Sequence, residues 1–253
     1  MPSLCKAIGG EPMSHHNLIS EFNKIYYNDE NNTWKSTLWL GTPIQKFPTD
    51  LWMYQEIIYN LRPDLIIEAG TLYGGSASFL ATILEAIGHG RVISVDISDG
   101  PDPEKPRPRH RRLKYIKGSS TDEIILLKLA EESAGLDTVM VILDSDHSKE
   151  HVLDELNCLK DMVTPGSYLI VEDTNINGHP VLPEFGPGPM EAVREFLAKN
   201  DEFIVDTSME RLMLTANPGG YLRKREPDCV YKRVAPCKNQ RLGIHEIQTP
   251  VSY

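Results

Sequence analysis

Cysteine is scarce in this chain: four of 253 residues, at Cys5, Cys158, Cys229 and Cys237. Their spacings match no zinc pattern and no pair of histidines completes one, which argues against a structural zinc. Cys158 falls in an amphipathic helical pattern and is expected to pack. Cys229 and Cys237 could pair, but nothing else points to an oxidising compartment. Long apolar runs are missing too, so no segment is expected to cross a bilayer. The first residues lack the basic and apolar parts of a signal peptide, and a reducing cytoplasm is expected. Basic charge is also short: 26 Lys and Arg face 36 Asp and Glu, a net charge of −10. Binding phosphates needs basic residues, which argues against a nucleic-acid partner. The run Lys105–Lys114 is the local exception, and its alternation with proline reads as a solvated loop.

What remains is ordinary globular composition, 40% hydrophobic and 25% charged, enough for one α/β domain with extra segments. Residues 1–49 read as a polar, irregular arm carrying Tyr26, Tyr27, Trp34, Trp39 and Phe47. Asp50 is expected to cap a helix containing Leu51, Met53, Tyr54, Ile57, Ile58 and Leu61. From there strands and helices alternate. Strands are expected at Leu65–Ile67, Arg91–Val95, Leu113–Lys117, Thr138–Leu143, Ser167–Val171, Phe203–Val205 and Leu212–Thr215. Helices are expected near Ser76–Ile87, Thr121–Ser133, Lys149–Met162 and Met190–Ala198. Alternation of this kind makes a doubly wound, mostly parallel, seven-stranded α/β sheet with helices on both faces. The domain is expected to span 50–217, with 218–253 as an irregular arm or a disordered extension.

Ligands in such sheets bind beyond the carboxyl ends of the strands. Glu68, Asp96, Asp144 and the pair Glu172-Asp173 each stand at such an end. Glu68 opens a glycine-rich turn, Gly70-Thr71-Leu72-Tyr73-Gly74-Gly75-Ser76. Gly70 permits a sharp turn, and Gly74 and Gly75 let backbone approach a ligand. The spacing differs from a dinucleotide fingerprint, and the acid before the turn suits an ammonium-bearing ligand better than a pyrophosphate. Asp96 is placed to accept from ribose hydroxyls. Ser120 and Thr121, after the third strand, could hold an adenine edge, cap a helix, or both.

Two acidic runs follow neighbouring strands: Asp144-Ser145-Asp146-His147 and Glu172-Asp173-Thr174-Asn175. Four carboxylates in one crevice repel unless a cation or proton intervenes. Hard oxygen ligands suit Mg²⁺. His147 is the one histidine close enough in sequence to these acids to be argued as a base.

The run Thr37-Leu38-Trp39-Leu40-Gly41, with Lys46, Pro48, Asp50-Leu51-Trp52 and Tyr54-Gln55-Glu56, resembles the opening signature of the cephalosporin hydroxylase family. That family also contains rhamnosyl O-methyltransferases. The resemblance continues through EAGTLYGGSASF, VISVDI, LDSDHSKEHVLDEL and TPGSYLIVEDTNING, covering about residues 20–216. It implies S-adenosylmethionine at Glu68–Ser76 and Asp96. It also implies Mg²⁺ at Glu172, Asp173 and an acid from the fourth strand. A more distant likeness to catechol O-methyltransferase puts ligand character on Asp144 and base character near His147. The closer family favours Asp146 as the ligand, with Asp144 on the cofactor side. The implied activity is Mg²⁺-dependent methylation of a small-molecule hydroxyl, of a sugar or natural product. The rivals are an NAD-dependent oxidoreductase and a cofactor-binding module without chemistry. The aromatic arm suggests a homo-oligomer.

Overall fold

The computed structural model describes residues 14–31 and 33–227, so Cys5, Cys229 and Cys237 lie outside the described residues. The α/β domain forms as its alternation implies. The seven strands of its sheet are β3 (Leu65–Ala69), β4 (Arg91–Asp96), β5 (Leu113–Lys117), β6 (Val139–Leu143), β7 (Tyr168–Val171), β8 (Phe203–Val205) and β9 (Tyr221–Lys224). They lie in the order β5-β4-β3-β6-β7-β9-β8, parallel except for β9, which runs antiparallel to both neighbours. Helices α2 (Pro48–Leu61), α3 (Gly75–Ala86), α4 (Glu123–Ser133), α5 (Lys149–Leu159) and α6 (Pro189–Lys199) flank the sheet.

The central strands are buried along their whole length, which is why they read as continuous apolar runs rather than alternating ones. Their side chains still alternate between faces. On β3, Leu65 and Ile67 join one core with Leu156 of α5 and Phe196 of α6. Ile66 joins the other, with Ile58 of α2 and Leu80 of α3. β3 pairs with β4 on one side and β6 on the other, Leu65 lying opposite Arg91 and Val139. Strand order reverses between β3 and β6, and the crevice beyond their carboxyl ends is where such sheets take ligands.

The first segment is more regular than expected. Helix α1 (His15–Tyr27) is capped by Ser14, whose side chain accepts from Asn17 N–H. A 3₁₀ turn at Thr33–Ser36 and a small hairpin of β1 (Leu38–Trp39) and β2 (Thr42–Pro43) follow. Its aromatics pack within the chain. Ring centroids lie 4.9 Å apart for Tyr26 and Phe47, for Tyr27 and Trp34, and for Trp39 and Phe79 of α3. Contacts spent this way carry no argument for an interface with another chain. No helix among the described residues is long and apolar enough to cross a membrane.

Four other expectations are corrected. The helix after the arm starts at Pro48, with Phe47 as its cap, because proline fits a first turn that needs no N–H there. Asp50 lies inside that turn and is buried. Ser120 and Thr121 do not cap α4; Asp122 does, accepting from Ile124 and Ile125 N–H at 2.9 and 3.3 Å. Cys158 is exposed rather than packed. The last strand is not Leu212–Thr215, which is a turn, but β9, beyond the expected end of the domain at 217. Four residues next to proline and charge leave little periodicity to read; pairing with β7 and β8 makes them a strand.

Asp50 joins α2 to the chain entering β9. Its Oδ1 accepts from Thr215 Oγ1 at 2.5 Å and Tyr221 OH at 2.9 Å, and its Oδ2 from Ala216 N–H at 2.9 Å. Burial pushes this carboxyl up to about 7, against the pull of those donors. We expect Asp50→Ala, which orphans all three donors, to cost about 2–3 kcal/mol in urea unfolding. An unchanged midpoint and slope would show that the network does not hold β9 in place.

Candidate active site

The crevice opens into a cavity of about 750 Å³. Its walls include Gly70, Thr71, Gly75 and Ser76 of the glycine turn, Asp96 and Ser120 of the next two strand ends, and Asp144, Asp146, His147 and Asp173 of the acidic runs. Glu68, Gly74, Thr121 and Glu172 are not part of that wall, and Glu68 and Glu172 are buried.

The turn is built for contact with its own chain. Gly70 has φ +91°, and a Cβ there would lie 1.8 Å from the carbonyl oxygen of Asp144. Only glycine lets β6 end that close to β3. At Gly75 a Cβ would meet the carbonyl oxygen of Pro43 at 2.2 Å, so this glycine admits the N-terminal segment. Gly74 caps α3.

Glu68 is 1% exposed, and its Oε2 accepts from Ser94 Oγ at 2.6 Å. Burial pushes its carboxyl up to about 7, partly offset by hydrogen bonds from Ser76 and Ser94. Asp96 is crowded with donors. Its Oδ2 accepts from Thr71 N, Leu72 N and Arg107 Nη2, and its Oδ1 from Ser98 N and Oγ. Burial raises its carboxyl, but the N–H groups of Ser98, Leu72 and Thr71 outweigh that and hold it below the usual range. A ribose hydroxyl would have to replace one of these donors. Arg107 comes from the basic run expected to be solvated. Instead its side chain is 9% exposed, with the guanidinium bonded to Asp96, Leu72 O and Ser98 O.

The acids converge on a cation from the arm. Lys46 Nζ lies 2.5 Å from Asp144 Oδ2 and 2.9 Å from Glu172 Oε1, with 7% of its side chain exposed. Tyr54 OH of α2 donates to Glu172 Oε1 at 2.5 Å. Burial would lower the Lys46 ammonium, but Asp144, Glu172 and Asp173 together raise it above the ordinary value. Burial raises the Asp144 and Glu172 carboxyls, against the pull of Lys46. Lys46 and Tyr54 were legible only as parts of a resemblance, because nothing local marks a lysine in a polar arm as buried.

A second group faces the cavity. Ligand atoms of Asp144, His147 and Asp173 lie within 4.8 Å of one another, with His147 Nε2 3.2 Å from Asp173 Oδ2. Of the expected trio Asp146, Glu172 and Asp173, only Asp173 belongs to this group. Asp146 is exposed, and its Oδ1 accepts from Ser148 N–H at 2.7 Å, which helps hold its carboxyl low. The strand ends at Leu143, so Asp144 stays over the crevice while Asp146 turns toward the start of α5.

Comparison with known proteins gives this site its context. The profile described as Rhamnosyl O-methyltransferase/CmcI matches residues 31–225. The chain belongs to that family. A rhamnosyl O-methyltransferase of Mycobacterium bovis (strain BCG / Pasteur 1173P2) is 42% identical over 217 residues, 81% of this chain and 84% of the relative. One from Mycobacterium leprae (strain TN) is 42% identical over 183 residues, 71% and 77% of the two chains. Among solved structures, CmcI with Mg and SAM superposes with a TM-score of 0.58 at 19% identity, covering 76% of this chain and 78% of that one. At that identity the likeness concerns the fold.

Two outcomes follow from the electrostatics. Lys46→Met removes one partner of a buried cluster and should cost about 3–5 kcal/mol in urea unfolding; a wild-type midpoint would deny the ammonium its structural part. Glu68 has a folded pKa raised from 4.5 to about 7. Its contribution to stability is therefore full below the unfolded value and lost as pH rises through the folded one. Cofactor-free Glu68→Gln should lose less stability than wild type between about pH 5 and pH 8. Parallel pH curves for the two proteins would contradict that environment for Glu68.

Proposed function

We propose that the chain methylates a hydroxyl of a sugar or sugar-bearing natural product at a Mg²⁺ site formed around Asp144 and Asp173. That it is an S-adenosylmethionine-dependent O-methyltransferase follows from its family, which sets aside an NAD-dependent oxidoreductase. The acceptor class rests on the mycobacterial relatives, named rhamnosyl O-methyltransferases. The metal rests on the Asp144–His147–Asp173 group, whose two carboxylates suit a hard divalent cation. CmcI, a neighbour in fold, holds both Mg and SAM, which supports the same pairing here.

The donor set fits the ion. Asp144 gives Oδ2 to Lys46 and keeps a second oxygen, and Glu172 stands directly behind, held by Lys46 and Tyr54. When bound, Mg²⁺ would lower the pKa of the acceptor hydroxyl and fix its position. An acceptor with two neighbouring oxygens suits such a site best. His147, on the cavity wall beside Asp173, is the group that takes the acceptor proton. Tyr27 and Trp34 line the same cavity and offer aromatic faces to the C–H face of a sugar ring. The glycine turn, Asp96 and Ser120 border the space left for the methyl donor. This intact set speaks against a module that binds the cofactor without chemistry.

The experiment is methylation of candidate glycosides with isotope-labelled S-adenosylmethionine, read by mass spectrometry with EDTA or with added Mg²⁺. We expect product only with the metal; full turnover in metal-free protein would remove Mg²⁺ from the reading. In metal titrations Asp144→Asn and Asp173→Asn should weaken Mg²⁺ binding at least about tenfold, the scale of a lost bond to a charged group. Asp146→Asn should change it little. The reverse order of effects would return the ligand role to Asp146.

A further inference from the structure

Helix α5 carries a residue that packing does not explain. Val152, Leu156 and Leu159 bury an apolar stripe against the sheet, and Glu155 lies on the same face with 0% exposure. Acids are almost never fully buried unless paired, yet among the described residues no Lys or Arg pairs with it. Its Oε1 accepts from Ser120 Oγ at 2.5 Å and from Ser145 Oγ at 2.7 Å. His151 Nε2 lies 3.1 Å from Ser145 Oγ and 3.4 Å from Glu155 Oε1. The other oxygen, Oε2, is buried without a hydrogen-bond partner among the described residues. A leucine here would avoid that cost of desolvation. What the carboxylate does reach is the cavity wall, since Ser120, Ser145 and His151 all line the cavity.

A serine hydroxyl has one hydrogen and two lone pairs, and an ionised carboxylate only accepts. Ser120 and Ser145 therefore spend their hydrogens on Glu155, behind the wall; Ser145 accepts from His151 Nε2 with one lone pair and keeps the other, and Ser120 keeps both. Ser120 follows β5 and Ser145 follows β6, so two strand ends present acceptors side by side. We infer that Glu155 fixes Ser120 and Ser145 as acceptors on this wall, so that the pair recognises the exocyclic amino group of the cofactor's adenine and rejects a base carrying a carbonyl there. Glu155 is a positioning residue, acting through two serines. The inference rests on the reading that the cavity takes S-adenosylmethionine.

The test is calorimetry with S-adenosylhomocysteine and its deaminated analogue, S-inosylhomocysteine. A keto oxygen against two lone pairs loses its bond and leaves the serines unpaired, so wild type should prefer the adenine form about 10- to 100-fold. Glu155→Gln offers the serines an amide N–H as well as a carbonyl, which frees a serine hydrogen to face the cavity. The preference should then fall below about threefold. Ser120→Ala and Ser145→Ala remove one acceptor each and carry the test if Glu155→Gln does not fold; each should lower the preference while unfolding remains cooperative. Equal binding of both compounds by wild type, or full preference in the folded variants, overturns the inference. Failure of wild type to bind S-adenosylhomocysteine at all would instead overturn the reading of the cavity.

Discussion

Carboxylates gathered at adjacent strand ends repel one another, and the way this chain offsets that repulsion shapes much else in the structure. Asp144 and Glu172 end neighbouring strands because the parallel sheet puts them there. Lys46 answers with one ammonium, buried and shared between the two. A lysine reaches that point only if residues 43–47 run across the start of α3, and Gly75 removes the Cβ that would block the path. The aromatic contacts of Tyr26 and Phe47, and of Trp39 and Phe79, hold the same segment down. The N-terminal segment is thus part of the site, and its position and the charge balance of the crevice depend on each other.

The same constraint grades the acids by task. Glu172, facing Lys46 and Tyr54, is tied into the structure. Asp173 faces the cavity beside His147, and Asp144 belongs to both groups, with one oxygen on Lys46. The glycine turn serves both layers by letting β6 end against β3, which brings Asp144 into the crevice. Behind the far wall Glu155 gathers Ser120 and Ser145. Each of the two buried groups sets which hydrogen-bonding or charged atoms its visible neighbours present.

Much of the fold was legible from particular runs of sequence. Leu65-Ile66-Ile67 and Thr138–Leu143 read as buried strands because both of their faces are covered. Asp96 and Asp144 read as strand-end acids because each follows directly on such a run. Strand β9 escaped because Tyr221–Lys224 is too short, and too close to proline and charge, to show a period. Asp50 reads as a cap because Asp before an apolar stretch usually is one; the helix in fact starts at Pro48, three residues earlier than that reading implies. Glu155 had a signal that could have been used, an acid in register with Val152 and Leu156 on the buried face of an amphipathic helix.

By itself, the sequence determined the doubly wound sheet, the crevice at its carboxyl edge and the residue types available there, since strand periodicity and glycine placement are local properties. It also determined the family, through ordered motifs spread over most of the chain. Only the tertiary structure decided which acids face one another, that Asp144 rather than Asp146 joins His147 and Asp173, and that Lys46 and Arg107 leave solvent for the site. Those outcomes turn on distances between residues far apart in the chain, about 100 positions for Lys46 and Asp144. Burial and charge pairing act through space, and no local pattern in the chain records them.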